Sequence, residues 1–485
     1  MPPRQKILKE SLLGVGIGCA AAVIALMIWS MGWFEKWERN TWDWRVSVMA
    51  KPAATTDDIV VVLLDQNSLD WGFTQMGLTW PWPREIYSVL VDFCKRNQAR
   101  SLAFDVLYTE PSKYGVLDDM VLGKAMAKFG RTVTPVFLSQ TSGFLIRWPD
   151  NISKPGFTVS GLDQYLERTN NQGLKFLRAI MPVDEIAKNT AVLCNVNKSP
   201  EPDGIYRKMP VVTVFDNTIV PSLGLGAYMA EHPDAEISFQ KDSIDINGYK
   251  IPTDEQGSSI LRFRGPSGTH ATFSAASVIQ SEIRLRNNEK PTITDVNAFK
   301  DKYVLFGFSA PGLFDLKVSP VDGLCPGVEI HATMLDNFLS QDFIQPSPFW
   351  FFSLFILGLT CSGGILLCVF SKPATGGFIS LGFFLIPVGF GLIAYAKGYW
   401  LPMAAPEAAL VLTISLAQVT NYATQGRQKR FIKNAFRHYL NPQVIDEIIE
   451  HPEKLKLGGE RRVMTVFFLI SRDLQLSRKN WNLKC

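Results

Sequence analysis

Ile59-Val60-Val61-Val62-Leu63-Leu64-Asp65 is an unbroken apolar run closed by a carboxylate. A strand with one wet face alternates polar and apolar residues. A run without alternation marks a strand buried on both faces, as in a sheet covered by helices. Its Ile and Val content favours strand over a short buried helix. Working outward, Arg84–Gln98 carries Ile86, Val89, Leu90 and Phe93 at helical spacing. Ser101–Tyr108 reads as strand, Asp118–Phe129 as helix and Arg131–Leu138 as strand. Much later, Tyr303–Phe308 is another buried strand, followed by a helix near His331–Leu339. Ala191–Phe215 and Ile244–Arg264 read as hairpins, with turn residues at Pro202-Asp203-Gly204, Asn247-Gly248 and Gln256-Gly257. The expected fold class is α/β: a mixed sheet with helices on its faces and inserted antiparallel strands.

Four apolar blocks flank this region, at residues 11–33, 349–370, 376–396 and 401–423, the first three without a charged residue. The first, SLLGVGIGCAAAVIALMIWSMGW, is long enough at 1.5 Å per residue to cross a bilayer core of about 30 Å. Arg4, Lys6 and Lys9 precede it, and Trp29, Trp33 and Trp37 sit where an interface belt would. A cleaved signal peptide is the rival reading, opposed by the length of the block. Arg427, Lys429, Arg430, Lys433 and Arg437 follow the fourth block. The positive-inside rule then puts residues 1–10 and the C-terminal part in the cytoplasm and residues 34–345 outside. Glu407, beside Pro402 and Pro406, is either an intramembrane polar contact or a near-interface helix start.

Apolar residues make up 47% of the 485 and charged residues only 19%, a deficit these four blocks explain and one that excludes a wholly soluble enzyme. A net charge of +4 is too mild for a nucleic-acid binder. The seven cysteines form no disulfide framework and no metal spacing: Cys19, Cys361 and Cys368 fall in apolar blocks, Cys485 is terminal, and Cys94 and Cys194 read as small buried hydrophobes beside Cys325. No cofactor is expected in this chain.

Open α/β sheets bind ligands at the carboxyl ends of their strands. Asp65 and Asp105 close two strands, and Arg84, Arg207, Asp315 and His331 lie in loops or helix starts that could converge there. One reading is a small-ligand pocket of mixed polarity for an unknown extracytoplasmic ligand. The other makes the aspartates caps and the arginines structural partners. Trp80-Pro81-Trp82-Pro83-Arg84 is open to the same choice, as a rigid aromatic helix entry.

The order of short elements in this region resembles the extracellular CHASE sensor domain, type two. The matching pieces are Thr41-Trp42-Asp43-Trp44-Arg45, Trp80-Pro81-Trp82-Pro83-Arg84 and Ala103-Phe104-Asp105-Val106. Pro202-Asp203-Gly204-Ile205-Tyr206-Arg207 and Phe263-Arg264-Gly265 follow, then Gly307-Phe308-Ser309-Ala310, Ser319-Pro320-Val321 and Pro326-Gly327-Val328-Glu329-Ile330-His331-Ala332. The resemblance implies a sensor whose stimulus is generally undefined, and supplies no catalytic role for these residues.

Gln425–Glu450 reads as helix, with Phe431, Ala435, Phe436, Tyr439 and Leu440 on one face and a break at Asn441-Pro442. It is either an amphipathic helix lying on anionic membrane lipid or a dimer-forming signalling helix. Residues 424–462 resemble the linker before class III nucleotide cyclase domains, through Arg430-Phe431-Ile432, Ala435–Pro442 and Leu457-Gly458-Gly459-Glu460-Arg461-Arg462. Residues 463–468, Val-Met-Thr-Val-Phe-Phe, look like that fold's first strand. The resemblance implies, for an intact relative, conversion of ATP to cyclic AMP with magnesium or manganese at a dimer interface. That family continues with Ser-Asp-Ile, whose Asp holds the metals; here Leu469-Ile470-Ser471-Arg472-Asp473 follows. Dropping one nucleotide from codons chosen for the family's continuation yields Leu-Ile-Ser-Arg-Asp-Leu-Gln-Leu-Ser-Arg-Lys-Asn-Trp, as residues 469–481 read. A frameshift early in the cyclase domain is therefore expected, with a natural divergent tail as the alternative. The functional expectation is a membrane receptor of the adenylate cyclase type, inactive alone. Its rivals are a cyclase-less sensor that pairs with an intact cyclase as a homo- or heterodimer and, last, a transporter or channel.

Overall fold

The computed structural model describes residues 3–168, 173–197, 199–295, 297–313, 315–370, 372–436 and 465. Met1–Ile414 form one compact unit and Ser415–Cys485 a second.

The first unit is built on a seven-stranded sheet: β1 (Ile59–Leu64), β2 (Ser101–Phe104), β3 (Thr132–Ser139), β4 (Arg178–Ile180), β5 (Val192–Asn195), β6 (Ala271–Ser274) and β7 (Tyr303–Phe308). The strands run β6-β1-β7-β2-β3, all parallel, and β3 then pairs in parallel with β5 through Val133–Val136. Only β4 is antiparallel, on Phe137–Ser139 of β3. The alternation of side chains along β1 explains its unbroken apolar run. Val60, Val62 and Leu64 join one core with the helices Arg84–Arg96, Val116–Phe129 and Ala275–Arg286. Ile59, Val61 and Leu63 join the other, with the helices Leu223–Met229 and Gly327–Ser340. Both faces are dry, so no polar residue is tolerated before Asp65.

The expected hairpin at Ala191–Phe215 is not formed. Val192–Asn195 is β5 of the main sheet, Lys208–Pro210 pairs with Ser258–Ile260, and Val212–Phe215 turns back on Thr218–Pro221. The turn at Pro202-Asp203-Gly204 is real, with Gly204 at a positive φ, but it joins two segments that pair elsewhere. Of Ile244–Arg264, Ser243–Ile246 and Tyr249–Pro252 do form a hairpin around Asn247-Gly248, both at positive φ as the tight two-residue turn requires. Two expected helices start early: Val116–Phe129 by two residues and Gly327–Ser340 by four.

Among the described residues three helices are long and apolar enough to cross a membrane: Arg4–Ser30, Phe349–Val369 and Ala374–Ala396. The fourth apolar block, 401–423, falls at the start of a 33-residue helix, Ala404–Phe436, that is not among them. Glu407, Thr413, Ser415, Gln418, Thr420 and Asn421 dilute its apolar content. The first two apolar helices approach backbone to backbone. A Cβ added at Gly14 would stand 2.5 Å from the Gly364 carbonyl oxygen, and one at Gly18 2.6 Å from Cys361 Cα. Small residues permit this contact, which is how apolar helices gain packing energy where lipid gives no hydrophobic drive. It also brings the Cys19 and Cys361 sulfurs within 3.6 Å.

Between the first apolar helix and the sheet stands a stem helix, Glu35–Met49, one face of which is buried through Glu38, Trp42, Arg45 and Val46. Tyr439, Leu440 and the whole of 463–468 except Thr465 lie outside the described residues. So does most of the expected helix Gln425–Glu450, of which the part to Phe436 is helical.

Candidate functional site

The six residues singled out at the strand ends have largely separate partners. Asp65 is the N-cap of the helix Gln66–Met76. Its carboxylate accepts from the Ser68 amide at 2.8 Å, the Ser68 hydroxyl at 2.5 Å and the Ser274 hydroxyl at 3.0 Å. Arg84 opens the helix Arg84–Arg96, pairs with Asp119, donates to the Glu110 carbonyl and lies over the Tyr108 ring. Asp118 accepts from the amides of Arg84 and Glu85, capping that helix from another element. Asp105 follows β2, which β7 separates from β1, so two strand spacings, about 10 Å, lie between it and Asp65. Its carboxylate stands 3.9 Å from the ring of the fully buried His331. Asp315 accepts the Gly327 amide on its main-chain oxygen and faces Lys317 at 3.4 Å. For Asp65 and Arg84 the geometry is that of caps and structural partners.

Arg207 is fully buried and holds three carboxylates. It donates to Asp43 at 2.7 and 2.5 Å, to Glu201 at 2.7 Å and to Asp203 at 3.0 and 2.9 Å. Burial works against its charge, but these carboxylates outweigh it and raise its pKa. Asp43 belongs to the stem helix, so this cluster bolts the stem to the loop before Lys208–Pro210.

A second buried ionic chain was not singled out from the sequence. Asp336 accepts from Thr55 at 3.0 Å, Thr56 at 2.6 Å, Arg264 Nε at 3.0 Å and faces His270 Nε2 at 3.3 Å. Burial alone would raise the Asp336 carboxyl; the bond from His270, the charge of Arg264 and the bond from Thr56 outweigh it and hold the pKa low. Arg264 continues to Asp342 at 2.8 Å, Asp342 to Arg262 at 2.6 Å, and Arg262 donates to the Tyr395 carbonyl and lies over its ring. Tyr395 is in the last turn of the third apolar helix. Ion pairs and hydrogen bonds therefore run from Thr55 and Thr56, just before β1, to the end of the third apolar helix.

The stem helix makes the third junction. Glu38 is 6% exposed, and its two oxygens accept from the amides of Met403 at 2.8 Å and Ala405 at 3.1 Å. These are unsatisfied donors at the start of the helix Ala404–Phe436, so Glu38 caps that helix from a residue far away in sequence. Burial raises the Glu38 pKa, only partly offset by the amides and by Arg45. Arg45, its own pKa lowered by burial to about 10, donates to Thr41 and, at 2.7 Å, to the Leu401 carbonyl. Trp42 stacks on Trp400 with centroids 4.3 Å apart. Trp42, Asp43 and Arg45 thus each serve a joint. The quoted run Thr41–Arg45 was a signal for them, whereas nothing local marks Glu38.

Beside this clamp lies a cleft of about 1800 Å³. Trp29, Glu38, Phe352, Trp400 and Pro402 line one part of it, and Asn195, Asn197, Lys208 and Thr213 another. None of the six candidates lines it. Among the described residues no group of three His, Cys, Asp or Glu side chains is placed to hold a metal. Cys94, Cys194 and Cys325 are buried, and burial raises the thiol pKa of the first two.

Compared with known proteins, residues 19–368 match the family model described as the CHASE2 domain. No curated protein and no solved structure matches the chain.

Proposed function

The chain belongs to the CHASE2 domain family, an extracellular sensor family of signalling proteins, and we propose that it is a multi-pass inner-membrane receptor whose output leaves through the helix Ala404–Phe436. In this reading the 401–423 block makes the fourth crossing, mostly with the first part of that helix, both termini are cytoplasmic, and the sensor faces the periplasm. The observation that carries the reading is the Glu38 clamp. A stem helix rooted in the sensor by Arg207 and Asp43 holds the first amides of the exit helix. A shift of the stem then changes the capping of the exit helix, a discrete change in hydrogen bonding rather than a diffuse strain.

The receiving element is of the adenylate cyclase type, on the resemblance carried by residues 430–468. On the sequence pattern, Phe431, Ala435, Phe436, Tyr439 and Leu440 are its proposed pairing residues. The intact relative converts ATP to cyclic AMP and pyrophosphate with magnesium or manganese. The departure at Leu469-Ile470-Ser471, where the pattern has Ser-Asp-Ile, favours a second form of the proposal. There the chain is a sensor that pairs with an intact cyclase and modulates it. Purified chain given ATP with manganese or magnesium should form no cyclic nucleotide, and robust product would refute the reading of residues 469–473. Genomic DNA should carry the cyclase continuation in the adjacent frame; its absence there would end the frameshift idea.

A further inference from the structure

We infer that the cleft beside the clamp is a binding site for one outer-leaflet phospholipid with an amine-bearing, zwitterionic headgroup. The inference rests on the sensor reading and names the class of molecule sensed. At about 1800 Å³ the cleft exceeds the roughly 300–1,000 Å³ of a small-ligand pocket. Its floor is at membrane level: Trp29 and Ser30 end the first apolar helix, and Phe349 and Phe352 begin the second. Aromatic side chains at that depth suit acyl chains and the headgroup boundary. The upper wall brings polar groups, Asn195, Asn197 and Thr213, beside Phe137, Leu138 and Phe176. A molecule that fits both walls is amphiphilic and enters from the bilayer.

The charges select the headgroup. Arg39, Arg168 and Lys208 line the cleft, against Glu35, Glu38, Glu201 and Glu255. Glu201 is held by Arg207, Glu38 by two amides, Arg39 by Glu35 and Lys208 by Asp254, which leaves Arg168 and Glu255, one charge of each sign, to meet a headgroup. That balance gives an anion no net attraction and suits a phosphate carrying an ammonium. Arg39 and Lys208 already face Asp203 and Asp254 at 3.7 and 3.0 Å, which weakens their pull on an anion further. The site also reaches the machinery. Glu38 and Pro402 are part of the lining, so an occupant packs against the joint between stem and exit helix.

The test uses the full chain in nanodiscs containing photoactivatable phosphatidylethanolamine or, in parallel, photoactivatable phosphatidylglycerol, with the labelled peptides mapped after irradiation. The ethanolamine probe should label the upper wall at residues 208–213 about fivefold or more above the glycerol probe. Ser199→Trp, at an exposed loop position on the cleft, should remove that labelling, and Arg168→Glu should weaken it; both side chains are exposed, so folding is retained. Labelling confined to residues 4–30 and 349–369 and indifferent to Ser199→Trp would overturn the site. Equal labelling by the two probes would overturn the headgroup assignment. Exchange protection of the Met403 and Ala405 amides, read on the same samples, reports the clamp. An empty cleft with those amides protected refutes the lipid and leaves the receptor reading standing; unprotected amides would refute that reading instead.

Discussion

Glu38→Ala removes the cap on the exit helix and is the most informative perturbation. The native carboxylate accepts two backbone amides, from Met403 and Ala405, in a site that is 6% exposed. A hydrogen bond to a charged group contributes about 1.5–3 kcal/mol, and an N-cap in a helix about 1 kcal/mol. Two bonds sharing one carboxylate are not additive, so about 2–4 kcal/mol is expected for the pair. At 1.4 kcal/mol per factor of ten, local opening of this turn becomes about 30- to 700-fold more frequent. Hydrogen exchange on the full chain in nanodiscs reads this directly, as loss of protection at the two amides. Glu38→Gln keeps one carbonyl acceptor and should lose less, about tenfold. Glu35→Ala, an exposed acid one turn earlier on the stem, should change nothing at those amides. Native protection in Glu38→Ala would refute the clamp.

Gly14→Leu should force the first two apolar helices apart, because a Cβ there would stand 2.5 Å from the Gly364 carbonyl oxygen and overpacking costs about 1–3 kcal/mol. Copper-phenanthroline in air should join Cys19 to Cys361 in the native chain, where the sulfurs are 3.6 Å apart, and peptide mass spectrometry should find the bond lost in the variant. Asp336 sets a pH dependence. Its folded pKa lies below the ordinary 3.8, so its stabilising charge is fully present above that value and is lost as pH falls through the folded pKa. Thermal unfolding should show this contribution constant from neutrality down to about pH 4 and falling below it, with Asp336→Asn flattening the acid limb and costing about 1–3 kcal/mol at pH 7 through weakened hydrogen bonds, since Arg264 keeps Asp342 as a partner.

What the sequence made legible follows from locality. β1 and β7 were readable because burial on both faces writes itself into consecutive residues. The hairpin at Asn247-Gly248 was readable because two adjacent residues at positive φ need that chemistry. The hairpin at Ala191–Phe215 was misread because β5 pairs with β3, about sixty residues earlier, and no local pattern records such a partner. The same reason hides the clamp: Glu38 and Met403 are 365 positions apart. Arg207 was read either as a pocket residue or as a structural partner, and in the structure it holds three carboxylates. The short motifs Thr41–Arg45, Pro202–Arg207 and Phe263-Arg264-Gly265 marked where elements are joined.

Signal transfer through Ala404–Phe436 requires that the sensor and the end of that helix lie on opposite sides of the membrane. Phe73 and Phe431 are well exposed, at 65% and 76%, and serve as single labelling sites once the seven native cysteines are replaced. In intact spheroplasts a membrane-impermeant maleimide should modify Phe73→Cys and leave Phe431→Cys unmodified until the cells are broken. Equal modification of both in sealed cells would put the helix end outside and contradict a fourth crossing.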